Sequence, residues 1–180
     1  MKTLPRLLTV AALVVTVLSF VSLAPAHADP LTTDQSQHIV STCSSIKSTL
    51  NQLHVSDTLL RVNRGQFYES MSSKLMTKFN ARLNNNGIDN NAFVTITNDY
   101  TTLLNTFRTD YQLYEIQLSN TIAINCFKQP STFNDAVVQA RVLRNKVHDD
   151  VNNLNSQLVS YQTGVNTLLA TYDQPAGVAQ

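Results

Sequence analysis

Seven charged residues carry whatever chemistry this chain offers: Asp57, Arg61, Arg64, Arg108, Glu115, Arg141 and Arg144. Asp57, Arg64 and Arg144 interrupt otherwise apolar helical repeats, and Arg61 follows Asp57 at i+4, on the same helix face. Such a set has two uses. Paired with Arg144, Arg61 or Arg64, the carboxylates of Asp57 and Glu115 would fix the alignment of neighbouring helices at some cost in stability, as polar seam residues do in coiled coils. Alternatively, the surplus of guanidinium groups would hold a small anion or carboxylate, whose planar oxygens match the arginine fork. The pairing reading is the simpler one and expects Glu115→Ala to lower the melting temperature markedly.

Little else in the sequence resembles reaction chemistry. His38, His54 and His148 are dispersed, and neither His-Glu-x-x-His nor Cys-x-x-Cys occurs, so no metal site is expected. His148-Asp149-Asp150 reads as a solvated helix face. A glycine-rich phosphate loop and a Gly-x-Ser-x-Gly elbow are both absent. Without convergent His, Ser or paired carboxylates there is no acid–base machinery to assign, and no catalytic residue or cofactor is expected. The six tyrosines fall on or beside apolar seams, where packing accounts for them.

The elements that position these groups follow from one period. Phe93, Thr97, Tyr100, Leu104, Phe107, Tyr111, Tyr114, Leu118, Thr121 and Asn125 alternate spacings of four and three, a heptad seam. A longer seam runs Phe133, Val137, Ala140, Arg144, Val147, Val151, Leu154, Leu158, Tyr161, Val165, Leu168, Tyr172. The first comprises Ile39, Cys43, Ile46, Leu50, Leu53, Asp57, Leu60, Arg64, Phe67 and Met71, and continues at spacings of four through Leu75, Phe79 and Leu83. Such a stutter relaxes a left-handed supercoil.

Punctuation agrees with three helices. Thr32 and Gln35 form a capping-box pattern, Asn84-Asn85-Asn86-Gly87 supplies a stop, and Asp89 or Asn90 can cap the next start. Pro130, Ser131 and Thr132 separate the last two helices, with Asp135 placed near the positive end of the dipole. Gly65, inside the first helix, costs about 1 kcal/mol relative to Ala and marks a bend or a close helix contact. The predicted fold is all-α: an antiparallel up-down-up three-helix bundle with coiled-coil-like packing.

Turns centred near residues 86 and 129 set a ruler for helix levels. Asp57, Glu115 and Arg144 fall level on it, Arg108 lies opposite Arg64, and Tyr111, Tyr114 and Arg141 lie within a turn. The two cysteines, Cys43 and Cys126, come within about three residues of one level, roughly 4.5 Å along the axis. A disulfide between the first two helices, near the end farthest from their turn, is expected; two buried free thiols are the competing reading.

Lys2 and Arg6, the apolar run from Leu7 to Leu23, and Ala26-His27-Ala28 have the order of an export signal with a cleavage site. The division is therefore 1–28 signal peptide, 29–173 bundle, and 174–180 flexible C-terminal tail. The apolar run is only slightly shorter than the roughly 20 residues a bilayer requires, so an uncleaved anchor is the rival reading. Loss of residues 1–28 removes two of 13 basic and none of 12 acidic side chains, leaving 11 against 12 and a net charge of −1. Scattered Lys and Arg at that balance do not make a phosphate-binding face, which excludes a nucleic-acid binder.

The run Arg61-Val62-Asn63-Arg64-Gly65-Gln66, then Leu75-Met76 and Phe79-Asn80, with Cys43, Cys126, Ala140-Arg141, Arg144, Val147 and Asp150, resembles uncharacterised exported helical proteins of Saccharibacteria. That resemblance implies an envelope or cell-contact setting and attaches no activity. The expected role is an exported structural or interaction module, at the cell envelope or outside the cell, binding a protein partner or itself through helix faces. A small anionic-ligand binder using the arginine layer is the alternative, and an enzyme a distant third. No membrane insertion is expected after signal cleavage.

Overall fold

The computed structural model describes residues 31–172; the expected signal segment 1–28 and the tail 174–180 lie outside them. Helix α1 (Thr33–Ser70) passes through a π-helical segment (Met71–Met76) into α2 (Thr77–Asn85), making one long first rod. Helix α3 (Asn91–Ala123) returns alongside it, and α4 (Pro130–Tyr172) runs up again. Tyr100 on α3 reaches Tyr68, and Asn80 reaches Thr97, while Lys146 on α4 meets Asp110 on α3. Residue numbers rise along one rod as they fall along its neighbour, which makes the bundle up-down-up.

Local chemistry explains the ends. Thr32 Oγ1 accepts from the Gln35 amide at 3.2 Å and Gln35 Oε1 accepts from the Thr32 amide at 2.9 Å, a complete capping box. The first rod stops at Gly87, whose φ of 69° is open to glycine at little steric cost, and the Ile88 amide closes back on the Leu83 carbonyl. Asp89, not Asn90, supplies the side-chain oxygen at the start of α3, bonding the Asn91 amide; Asn90 instead donates to the Asn80 carbonyl. Helix α4 begins at Pro130 itself, where its missing N–H removes no helical bond. Asp135 accordingly lies beyond the first turn, out of the dipole's reach.

The seam of α3 is buried at every position from Phe93 to Thr121. It ends there because α3 stops at Ala123: Asn125 is a turn residue whose side chain caps the Phe127 and Lys128 amides. The seam of α4 also faces inward except at Arg144 and Tyr172. The first rod departs from expectation. Leu60, Phe67 and Leu75 are exposed, and Tyr68 and Met76 take the core positions. From Asp57 to Tyr68 the inward line advances eleven residues, the step of a helix without left-handed supercoil, so the heptad positions between rotate out of the interface. The π segment then adds a residue and turns Met76, Asn80 and Leu83 inward. Tyrosine hydroxyls from the other rods reach carbonyls flanking it, Tyr100 to Tyr68 at 3.1 Å and Tyr161 to Met76 at 3.2 Å.

Gly65 makes no close contact, since a Cβ there would meet nothing within 4 Å. The close approach is at Gly164, where a Cβ would stand 3.0 Å from the Phe93 ring. Around Phe93 the aromatic rings of Phe79 and Tyr161 pack edge to face, 5.6 and 5.2 Å between centroids.

At the opposite end Cys43 and Cys126 form the disulfide, with Cα atoms 5.7 Å apart. Since α3 has already ended, the bridge ties α1 to the α3–α4 turn, not to α3 as the ruler implied. Phe133, Ile39, Ile46 and Val137 pack around it, and Lys47 Nζ donates to the Ile124 carbonyl. The first rod is therefore fastened firmly at both ends. Among the described residues, no helix is long and apolar enough to cross a membrane.

Candidate functional site

Between those two fastenings the middle of α1 stands off from α3 and α4, and the space between them is a groove of about 600 Å³. Its floor is Phe107, Tyr111 and Tyr114 of α3, three buried seam positions. Leu60, Arg61 and Arg64 of α1 form one wall, and Arg144, Val147, His148 and Val151 of α4 form the other. The groove exists because α1 carries no buried side chain from Thr58 to Phe67. Arginines and exposed apolar residues stand where a heptad would have put core.

Asp57 closes one end of this space. Its carboxylate accepts from Arg144 Nε at 2.9 Å and from Tyr114 Oη at 2.7 Å, with Arg144 Nη2 farther away at 3.4 Å. The carboxylate is nearly buried and Arg144 half-exposed, so the pair links a desolvated anion to a cation that keeps its water. Hydrogen bonding to Asp57 holds Arg144 more firmly in its charged form. Burial, then the bond to Asp57, pushes the Tyr114 hydroxyl well above its ordinary range, so it stays a donor.

The other expected members of the layer divide. Arg61 places its guanidinium 5.1 Å from the Tyr111 ring centroid, a cation–π contact in place of an ion pair with Asp57. Arg64 lines the groove with no acidic partner among the described residues. Arg141 borders a smaller cavity of about 170 Å³ with Leu50, Leu53 and Val137. Arg108 lies outside the layer, bonded to Glu69 and, at 2.8 Å, to Asn105. Among the described residues Glu115 pairs with no arginine: it approaches the His54 ring at 4.0 Å, and both are about a third exposed. Glu115 is thus no part of the alignment device expected of it, because α1 is rotated to bring Arg61 and Arg64 toward the groove and His54 toward α3. Ser119 also approaches His54, at 3.5 Å, but on the same Nε2 that faces Glu115. A proton relay needs its two partners on opposite ring nitrogens, so this surface trio is not one.

One ionisable pair escaped the sequence reading. Asp110 on α3 and Asp150 on α4 are both buried, and near enough for the Asp110 charge to act on Asp150. Lys146 Nζ reaches Asp110 Oδ1 at 2.9 Å, while the Oδ2 atoms of both aspartates have no partner. Burial first, then the Asp110 charge, pushes the Asp150 carboxyl up to about 6. Asp150 is therefore not part of a solvated face, although His148 and Asp149 are exposed. The signal was available: the ruler sets 110 level with 150, and each lies one place beside a seam position.

Among the described residues no group of three or more His, Cys, Asp or Glu side chains converges to hold a metal ion. What the groove can do is bind: its aromatic and aliphatic lining offers apolar contact, and its arginines offer charged hydrogen bonds. No protein-family model, curated protein or solved structure matches this chain.

Proposed function

We propose that this protein is an exported, non-catalytic interaction module, acting at the cell envelope or outside the cell, that binds a protein partner through the middle of α1. The observation that carries this reading is that Val55, Leu59, Leu60, Val62 and Phe67, all within thirteen residues, are between 45% and 61% exposed. Scattered apolar residues are normal on a surface, but five on one stretch of helix leave an unusual amount of apolar surface in water, Val55, Leu59 and Val62 on one face and Leu60 and Phe67 on another. Val55, Leu59 and Val62 follow i, i+4, i+7 spacing, the stripe that an apolar groove or a second helix accepts.

The disulfide supports the same setting, since such bonds persist in oxidising compartments. Proximity labelling of the exported chain at its native surface, with fractionation, tests the reading. A labelled protein whose capture is lost in Leu59→Glu/Val62→Glu, while the helical signal is kept, is the expected result. Recovery only from the cytoplasm, or capture indifferent to that double change, would defeat it. Light scattering after size exclusion separates self-association from binding of a different partner.

A further inference from the structure

We propose that the groove between α1 and α4 is a binding site for a small amphiphilic anion, with a carboxylate at the arginines and an unbranched apolar body along the aromatic floor. This site is separate from the stripe used for the partner, because Val55, Leu59 and Val62 do not line the groove.

Size, charge and lining each point to that ligand class. About 600 Å³ lies within the roughly 300–1,000 Å³ typical of small-molecule sites. Of the side chains lining it, Arg61, Arg64 and Arg144 are cationic and only Asp57 is anionic, a formal balance of +2 from these four. Asp57 engages Nε and Nη2 of Arg144, the latter only at 3.4 Å, and Arg64 has no carboxylate partner among the described residues. Arg61 rests on the Tyr111 ring, from which it can turn to an anion without abandoning a salt bridge. The donors are thus present and incompletely used, the condition under which a carboxylate gains charge-assisted bonds.

Charge alone would suit an inorganic anion, but Leu60, Phe107, Tyr111, Val147 and Val151 give the groove a continuous share of apolar lining beside its charged groups. A small hydrated anion would leave that surface wet. An acyl chain would cover it, and in doing so would strengthen the arginine–carboxylate contact by excluding water. From Asp57 to Arg64 the α1 wall is roughly 10 Å long, enough for one extended chain.

Isothermal titration of the full chain, produced with its native leader region and exported by its own cell, tests the proposal. Sodium decanoate below its micellar concentration, decanol and decyltrimethylammonium share one tail and differ in head charge. Decanoate is expected to bind one per chain, decanol at least tenfold more weakly, and the cation not at all. Arg61→Gln/Arg64→Gln should weaken decanoate at least tenfold and leave decanol unchanged, with an unaltered melting temperature showing that the fold persists. Arg61→Glu/Arg64→Glu should transfer the preference to the cation. Equal affinity for all three probes, several decanoates per chain, or decanoate binding unaffected by the double glutamine change would overturn it. So would binding to phosphatidylglycerol vesicles without binding of monomeric decanoate.

Discussion

Replacing Asp150 by Asn should make the protein more stable at neutral pH and less sensitive to pH. Two carboxyl groups face each other between α3 and α4, and each has an Oδ2 atom with no hydrogen-bond donor. A proton shared by the pair would relieve the repulsion between the two carboxylates and supply a donor that these oxygens lack. The Asp150 carboxyl rises from its ordinary 3.8 to about 6, first through burial and then through the Asp110 charge; Lys146 opposes the rise and Asp149 adds slightly to it. A folded-state value above the unfolded one means that the stabilising contribution is complete below pH 3.8 and is lost as the pH rises through 6. At 1.36 kcal/mol for each tenfold change in proton affinity, the loss is capped at roughly 3 kcal/mol. Asparagine is neutral at every pH and its amide can donate to Asp110 Oδ2, so the variant should escape that loss. Urea denaturation from pH 4 to 8 measures it. At pH 7.5 Asp150→Asn should exceed the wild type by up to about 3 kcal/mol, or on the order of 6 to 12 °C in melting temperature. At pH 4 the difference should shrink to about 1 kcal/mol or less. Asp149→Asn, at an exposed position, should keep the wild-type slope. A wild type whose stability is flat or rising between pH 5 and 7, or an Asn variant less stable at pH 7.5, would refute the shared proton.

Asp57→Ala should destabilise by about 2 kcal/mol, because it leaves the buried Tyr114 hydroxyl without its acceptor; Glu115→Ala, beside an equally solvated His54, should change stability by less than about 0.5 kcal/mol, and thermal melts distinguish the two. Gly65→Ala, in open helical surface, should gain about 0.5 to 1 kcal/mol, whereas Gly164→Ala should lose about 1 kcal/mol, since its methyl group meets a Phe93 ring confined by Phe79 and Tyr161; denaturant midpoints should move in opposite directions. Reduction of the Cys43–Cys126 bond, which closes a separation of 83 residues, should cost at most about 4 to 5 kcal/mol on the chain-entropy account, seen as a fall in melting temperature with dithiothreitol.

The candidate site was legible only in part. Asp57 and Arg144 could be paired from their numbers because interrupting an apolar seam and lying level across short turns are both properties of the sequence. Asp110 and Asp150 were equally level but lay beside the seams, where a polar residue ordinarily faces water. Arg61 and Arg64 were visible as charges, yet nothing in their spacing revealed that they border empty space and not carboxylates.

Taken alone, the sequence determined three rods, their order and direction, the Thr32 and Gly87 boundaries, and which residues stand at similar heights. These follow from local periodicity and from turns too short to permit anything but reversal. The tertiary structure decided how far α1 turns about its own axis. An eleven-residue step and a π segment rotate Tyr68 and Met76 inward and Leu60, Phe67 and Leu75 outward, and the groove opens in the stretch between. Rotation is a collective outcome of packing along the whole rod, in which Tyr68, Met76 and Asn80 find partners across the bundle that heptad-positioned neighbours would not. A repeat specifies a helix's apolar side only when one repeat persists, and in the first rod it does not.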